Sequence, residues 1–141
     1  MRPDKTTATA VTATAVICTA VLLNAAPAAA ETHTEMPTLY TLATEAGGLC
    51  AGTINAKINT FADSDQVSVG YQANFGGVGG CATTVVFTWH NVDTGTSGAV
   101  TNQVVSWSYS ASFRPGPGRI AIEMATTTPH FPQQARVEVY L

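Results

Sequence analysis

Charge is scarce in this chain of 141 residues: Asp, Glu, Lys and Arg together make up 11% of it. Past residue 30, eight acids (Glu31, Glu35, Glu45, Asp63, Asp65, Asp93, Glu123 and Glu138) face four bases (Lys57, Arg114, Arg119 and Arg136), a net charge of −4 with histidine neutral. That balance excludes nucleic acid as an expected partner, because backbone binding needs a concentrated set of Lys and Arg to neutralise phosphates. Cysteine is rarer still, at Cys18, Cys50 and Cys81. Cys50 and Cys81 are too few for a thiolate zinc site and too far apart for a redox C-x-x-C pair. No ten-residue window beyond residue 30 carries a helical period, and no run there approaches the roughly 20 apolar residues needed to cross a bilayer. The chain also lacks a G-x-S-x-G nucleophile elbow and a phosphate loop ending in Lys and Ser/Thr.

At the start, Arg2 and Lys5 precede an apolar stretch from Ala15 to Leu23, and Ala28-Ala29-Ala30 closes it. This is the pattern of a secretory signal peptide over residues 1–30 with an A-x-A type cleavage site, so the working molecule is expected to begin at Glu31, extracellular and free of the membrane. Cys18 follows Ile17 inside the apolar stretch, which is not the setting of a lipid-modified cysteine, and it leaves with the signal. An even pair remains in an oxidising compartment, and a Cys50–Cys81 disulfide is expected. Closing that loop adds roughly 3 to 4 kcal/mol on the chain-entropy account.

Residues 31–37, polar and ending at Pro37, read as a flexible lead-in, and residues 38–141 as one domain. Thr38 to Thr44 suits a short edge strand. Next, Cys50, Gly52, Ile54, Ala56 and Ile58 alternate with Thr53, Asn55, Lys57 and Asn59, the period of a half-buried strand. Asp63-Ser64-Asp65 supplies a turn, after which Val67, Val69, Tyr71, Ala73 and Phe75 continue the alternation. Folding these two runs as an antiparallel hairpin brings Cys50 beside Gly76–Gly80, next to Cys81, which supports the disulfide on geometry. Val85, Phe87 and Trp89 share one face of the next run, and the segment from Asn91 to Gly98 is a turn by composition. In V-S-W-S-Y-S-A-S-F, Val105 to Phe113, every second residue is serine. Trp107 therefore belongs to the apolar face, and Trp107→Ala is expected to cost roughly 3 to 5 kcal/mol if that face is buried. Ile120, Ile122 and Met124 form a further inward row, and Val137, Val139 and Leu141 end the chain.

Six or seven strands with one apolar face each argue for a single antiparallel β-sandwich, with a small β-barrel as the alternative. In size and strand count the domain resembles the immunoglobulin-like sandwiches, although its order is Cys50, Cys81, Trp89 and not Cys, Trp, Cys. In its exported, compact style it resembles small secreted β-sandwich proteins of high-GC actinobacteria, a likeness that implies the fold and assigns no functional residue.

His90, Asp93 and Ser97 cluster around one turn, yet a working triad needs a base within reach of the nucleophile and an acid behind the base, and nothing in the spacing supplies them. Glu123 has no matching second acid at a position that would make a glycosidase pair. His33, His90 and His130 stand at no metal-ligand spacing, and Asp63-Ser64-Asp65 lacks the ligand series of a calcium loop, so no metal and no cofactor is expected. Trp89, Trp107, Tyr71, Tyr109 and Phe113 are assigned to the core by alternation. The Gly76–Gly80 run reads as a flexible connection. The remaining contact candidate is Arg114-Pro115-Gly116-Pro117-Gly118-Arg119, where two guanidinium groups, Arg114 and Arg119, flank a constrained turn. The expected function is non-enzymatic: surface binding to an extracellular protein or a cell-envelope component. The alternative is a proteinaceous inhibitor presenting loop 114–119 to an extracellular hydrolase.

Overall fold

The computed structural model describes residues 30–141; the export signal expected over residues 1–30 lies, but for Ala30, outside the described residues. The described residues form ten strands: β1 (Glu31–Glu35), β2 (Leu39–Leu42), β3 (Leu49–Phe61), β4 (Val67–Val78), β5 (Thr83–Asn91), β6 (Ser97–Val104), β7 (Trp107–Phe113), β8 (Arg119–Thr126), β9 (His130–Phe131) and β10 (Ala135–Tyr140). They build two antiparallel sheets packed as a sandwich, not a closed barrel. One sheet has the order β7-β4-β3-β2-β9, with β1 on the same flank of β3 as β2, and the other has the order β10-β8-β5-β6.

Period-two alternation produces the core. Ile54, Ile58, Val67 and Val69 from the six-stranded sheet meet Val85, Phe87, Ile120, Ile122 and Met124 from the four-stranded one, all fully or almost fully buried. Each such side chain contributes roughly 1.5 to 3 kcal/mol by leaving water. Tyr71 sits edge-on to Phe87 with ring centroids 5.0 Å apart and stacks on Tyr109 at 5.5 Å. Its hydroxyl accepts a hydrogen bond from Asn102 Nδ2 at 2.9 Å, and burial pushes its pKa up.

The hairpin β3–β4 sets Cys50 opposite Gly77, and Cys50 and Cys81 are joined by a disulfide with Cα atoms 5.5 Å apart. Gly80 bridges to Gly47, and its carbonyl accepts the Gly48 N–H at 2.9 Å, while Gly76 and Gly77 lie within β4. The glycine run is therefore tied into the sheet instead of forming a loose connection.

Three further expectations are corrected. Residues 31–35, read as a mobile lead-in, form β1 and pair residue by residue with Lys57–Phe61, because the long strand β3 leaves that part of its edge open. The strand count is ten and not six or seven: β1, β6 and β9 were not anticipated. In β6 the inward row includes Asn102, a polar residue that masks the period and is satisfied by Tyr71. The largest correction concerns Trp107. It keeps the parity of buried Ala111 and Phe113, but it opens edge strand β7 and is 73% exposed.

Candidate functional site

His90 on β5 stands opposite Ser97 on β6, and His90 Nδ1 lies 2.9 Å from Ser97 Oγ. Sheet register brings this pair together. Asp93 is turned elsewhere: its Oδ2 accepts the backbone N–H of Arg119 at 2.8 Å. The acid that would have oriented His90 thus closes a loop, and the three residues do not form a triad. Glu123 and Arg136 line the same shallow depression of about 520 Å³ on the outer face of the four-stranded sheet. Arg136 Nη2 is bound to Glu138 Oε1 at 3.1 Å, so that guanidinium is held by its strand neighbour. His33 is bound to Asn59 Oδ1 at 2.8 Å on β1, and His130 Nδ1 lies 3.0 Å from the Thr128 carbonyl. Among the described residues no three His, Cys, Asp or Glu side chains converge on a metal position.

The 114–119 connection passes from β7 in one sheet to β8 in the other, over the fully buried Asn91. Asn91 Nδ2 donates to the carbonyls of Pro115 (3.0 Å) and Pro117 (2.9 Å), while its Oδ1 accepts the N–H groups of Asp93 (3.0 Å) and Thr94 (3.1 Å). Gly118, at φ 122°, is needed where it stands, because a Cβ there would lie 2.7 Å from Asp93 Oδ2. Pro115 is buried, Gly116 and Gly118 are half-buried, and Arg114 and Pro117 are exposed. The loop is hydrogen-bonded from beneath and set into the end of the sandwich. Arg114 and Arg119 differ: Arg114 reaches solvent, whereas Arg119 is half-buried and its Nε has no hydrogen-bond partner among the described residues.

A site not assigned from the sequence lies on the outer face of the six-stranded sheet. Tyr40 on β2 stands opposite Phe131 on β9, and the two are 57% and 70% exposed. With Leu42, Ala51 and Thr53 they line an open apolar depression of about 580 Å³. Neither ring belongs to the aromatic pairs of the core, Tyr71–Phe87, Tyr71–Tyr109 and Trp89–Phe113. Alternation within Thr38–Thr44 carried a signal for this site: with Leu39, Thr41 and Ala43 buried, Tyr40 and Leu42 must face out. Phe131, between two prolines, had no periodic neighbour to assign it. No family model, curated protein or solved structure matches the chain.

Proposed function

We propose that this is a secreted, non-enzymatic binding protein whose contact surface is the Tyr40–Leu42–Phe131 corner of the six-stranded sheet. The observation that carries the reading is the exposure of two aromatic rings and a leucine on adjoining strands of a rigid sheet. Exposed apolar side chains scattered singly need no explanation, but contiguous ones bordered by polar residues mark interaction sites. The partner class is an extracellular protein or a cell-envelope component. Support for the non-enzymatic part is the diversion of Asp93 away from the His90–Ser97 pair.

The test compares the protein with a Tyr40→Ala/Phe131→Ala variant for retention on washed cell-envelope fragments and for capture of proteins from culture supernatant. Loss of retention or capture in the variant, with an unchanged urea midpoint, is the expected result. Equal behaviour of the two proteins, or a hydrolytic turnover abolished by His90→Ala, overturns the reading.

The Asn91 clamp favours a second reading, in which the loop inhibits an extracellular hydrolase. A loop held from beneath loses little freedom on contact, and exposed Arg114 is a side chain that a trypsin-like enzyme accepts in its specificity pocket. Inhibition of such a protease that disappears in Arg114→Ala supports this reading; the absence of inhibition by the parent protein excludes it for that enzyme class.

A further inference from the structure

We infer that the Tyr40–Phe131 corner is a saccharide-binding row for an uncharged, extended polysaccharide chain of β-1,4-linked glucose or N-acetylglucosamine. This names the ligand of the contact surface proposed above and rests on that reading.

The register of four neighbouring strands carries the inference. Phe131 faces Tyr40, Tyr40 faces Thr53, and Thr53 faces Asn74, so β9, β2, β3 and β4 place four outward side chains in one line across the sheet. At the spacing of adjacent strands that line is about 14 Å long, enough for a short run of sugar rings. Its chemistry changes along its length. Two exposed rings at one end offer apolar faces to the C–H side of a pyranose. Thr53 and Asn74 at the other end have no side-chain hydrogen bond to any described residue and offer both donors and acceptors.

The flanking rows decide between ligand classes. On one side lie Leu42, Ala51 and Gly76, and on the other Asn55, Gln72 and Ser108. None of these side chains is charged. The nearest ion pair on this face, Lys57 with Glu35 at 3.2 Å, is one row further away and internally neutralised. A phosphate-bearing or acidic ligand would therefore find no counter-charge, and a nucleic acid is disfavoured for the same reason. A hydroxyl both donates and accepts, as the amides of Asn74 and Gln72 do, and Asn55, whose Oδ1 already accepts from Thr38 Oγ1 at 2.8 Å, keeps its NH2 group to donate, so a polyhydroxylated chain satisfies them without leaving a buried charge. Equatorial β-1,4 linkages keep the chain extended and its ring faces apolar, which suits a row that begins with aromatic rings, continues with Thr53 and Asn74 and is flanked by amides. An apolar protein segment would leave the polar half of the row, Thr53 and Asn74, unpaired, at a cost in desolvation.

The charged face of the other sheet provides the contrast. There Arg136, Glu123 and Glu138 surround the His90–Ser97 pair, with no large aromatic lining the depression apart from half-buried Trp89. Aromatic platform and neutral amides coincide on one face of the molecule.

The experiment measures co-sedimentation of the protein with microcrystalline cellulose and with chitin, and calorimetric titration with cellohexaose and chitohexaose. The expected result is retention on at least one of the two, unchanged in high salt because no ion pair is involved. Affinity should fall several-fold to about tenfold in Tyr40→Ala and in Phe131→Ala, the range of single aromatic contacts. Gly76→Arg provides a variant that removes nothing. A Cβ at Gly76 meets no atom within 4 Å, so the arginine should be accommodated while it obstructs the flank of the row, and binding should be lost with the urea midpoint kept.

Absence of retention on both polymers overturns the saccharide assignment, as does retention that the Tyr40→Ala/Phe131→Ala variant keeps. The envelope and supernatant comparison then decides separately whether the corner binds another partner. A concentration-dependent dimer that the same variant dissolves would identify a second copy as the occupant and also overturn the assignment.

Discussion

The two ends of the sandwich are closed by different means. At the end where β3 begins, the sheets are joined by the Cys50–Cys81 disulfide and by a buried hydroxyl network in which Thr41 bonds Thr126 (2.8 Å) and Thr128 (3.0 Å), and Thr128 bonds Thr83 (2.7 Å). Glu45 adds a bridge from outside, its carboxylate accepting from Thr84, Gln103 and Thr127. At the opposite end one side chain, Asn91, holds both the 114–119 connection and the turn after β5. The first closure has several hydroxyls that can re-pair when one is lost. The second concentrates most of its side-chain hydrogen bonds in one amide, with only the Asp93 carboxylate on the Arg119 N–H and a long Thr96 Oγ1 contact to the Pro115 carbonyl beside it. Both ends are ordered, but they should fail differently.

The largest effect is expected at the disulfide. Replacing Cys50 and Cys81 by Ser removes a constraint on a loop with a sequence separation of 31, which corresponds to about 3 to 4 kcal/mol on the chain-entropy account. Urea unfolding of the variant against the oxidised protein reads this directly. A loss well below 1 kcal/mol would show that the hydroxyl network alone closes this end.

At the other end, Asn91→Ala removes the fully buried amide that donates to the carbonyls of Pro115 and Pro117 and accepts from the N–H groups of Asp93 and Thr94. Pro117, Asp93 and Thr94 are exposed and water can reach part of what is freed, so we expect a loss of about 1 to 3 kcal/mol in urea unfolding. Thr126→Val at the disulfide end should cost less, because Thr41 still bonds Thr128 and Thr128 still bonds Thr83. Equal losses would erase the distinction between a shared and a concentrated closure.

How much of this was legible in the sequence depends on what each residue's position relies on. Parity assigned the inward rows of β3, β4, β5 and β8 correctly, since alternation is a local property. Local topology also placed Cys50 beside Cys81. Parity says which face a side chain takes and nothing about whether the opposite sheet extends far enough to cover it. Trp89 and Trp107 show the difference. Both have inward parity, yet Trp89 stacks on Phe113 with centroids 5.7 Å apart, while Trp107 begins an edge strand and stays exposed. Trp107→Ala is accordingly expected to cost less than about 1 kcal/mol, in place of the severe loss that parity alone implied. A urea midpoint lowered as far as that of Asn91→Ala would mean the indole is covered in solution. The contact corner was hidden for a related reason. Tyr40 could be read as outward from its strand, but its partner Phe131 lies 91 positions away and meets it through register that no local pattern encodes. The Asn91 clamp was equally invisible, because a turn-forming composition gives no sign that one amide will be buried under a second loop.

The smallest expected effect tests whether the charge-assisted part of the disulfide end matters. The hydrogen bond from Thr127 lowers the pKa of Glu45 below its ordinary value of 4.5; burial opposes this slightly, and the Thr84 and Gln103 contacts add to the lowering. A carboxyl whose folded-state pKa is depressed contributes stability that is fully present above its unfolded-state value and is lost as pH falls through the folded-state value. The contribution should therefore be present at neutral pH and fade below pH 4.5. Glu45→Gln keeps the shape and removes the charge, so the difference in urea midpoint between the protein and this variant should be small at neutral pH and shrink as the medium is acidified. Working with that difference cancels the other carboxyls, which titrate alike in both proteins. Because Glu45 is exposed to solvent, screening keeps the effect modest, and added salt should diminish it further. A difference that stays constant from neutral to acid pH would assign the role of Glu45 to its shape alone, leaving the disulfide and the threonine hydroxyls to close this end of the sandwich without help from charge.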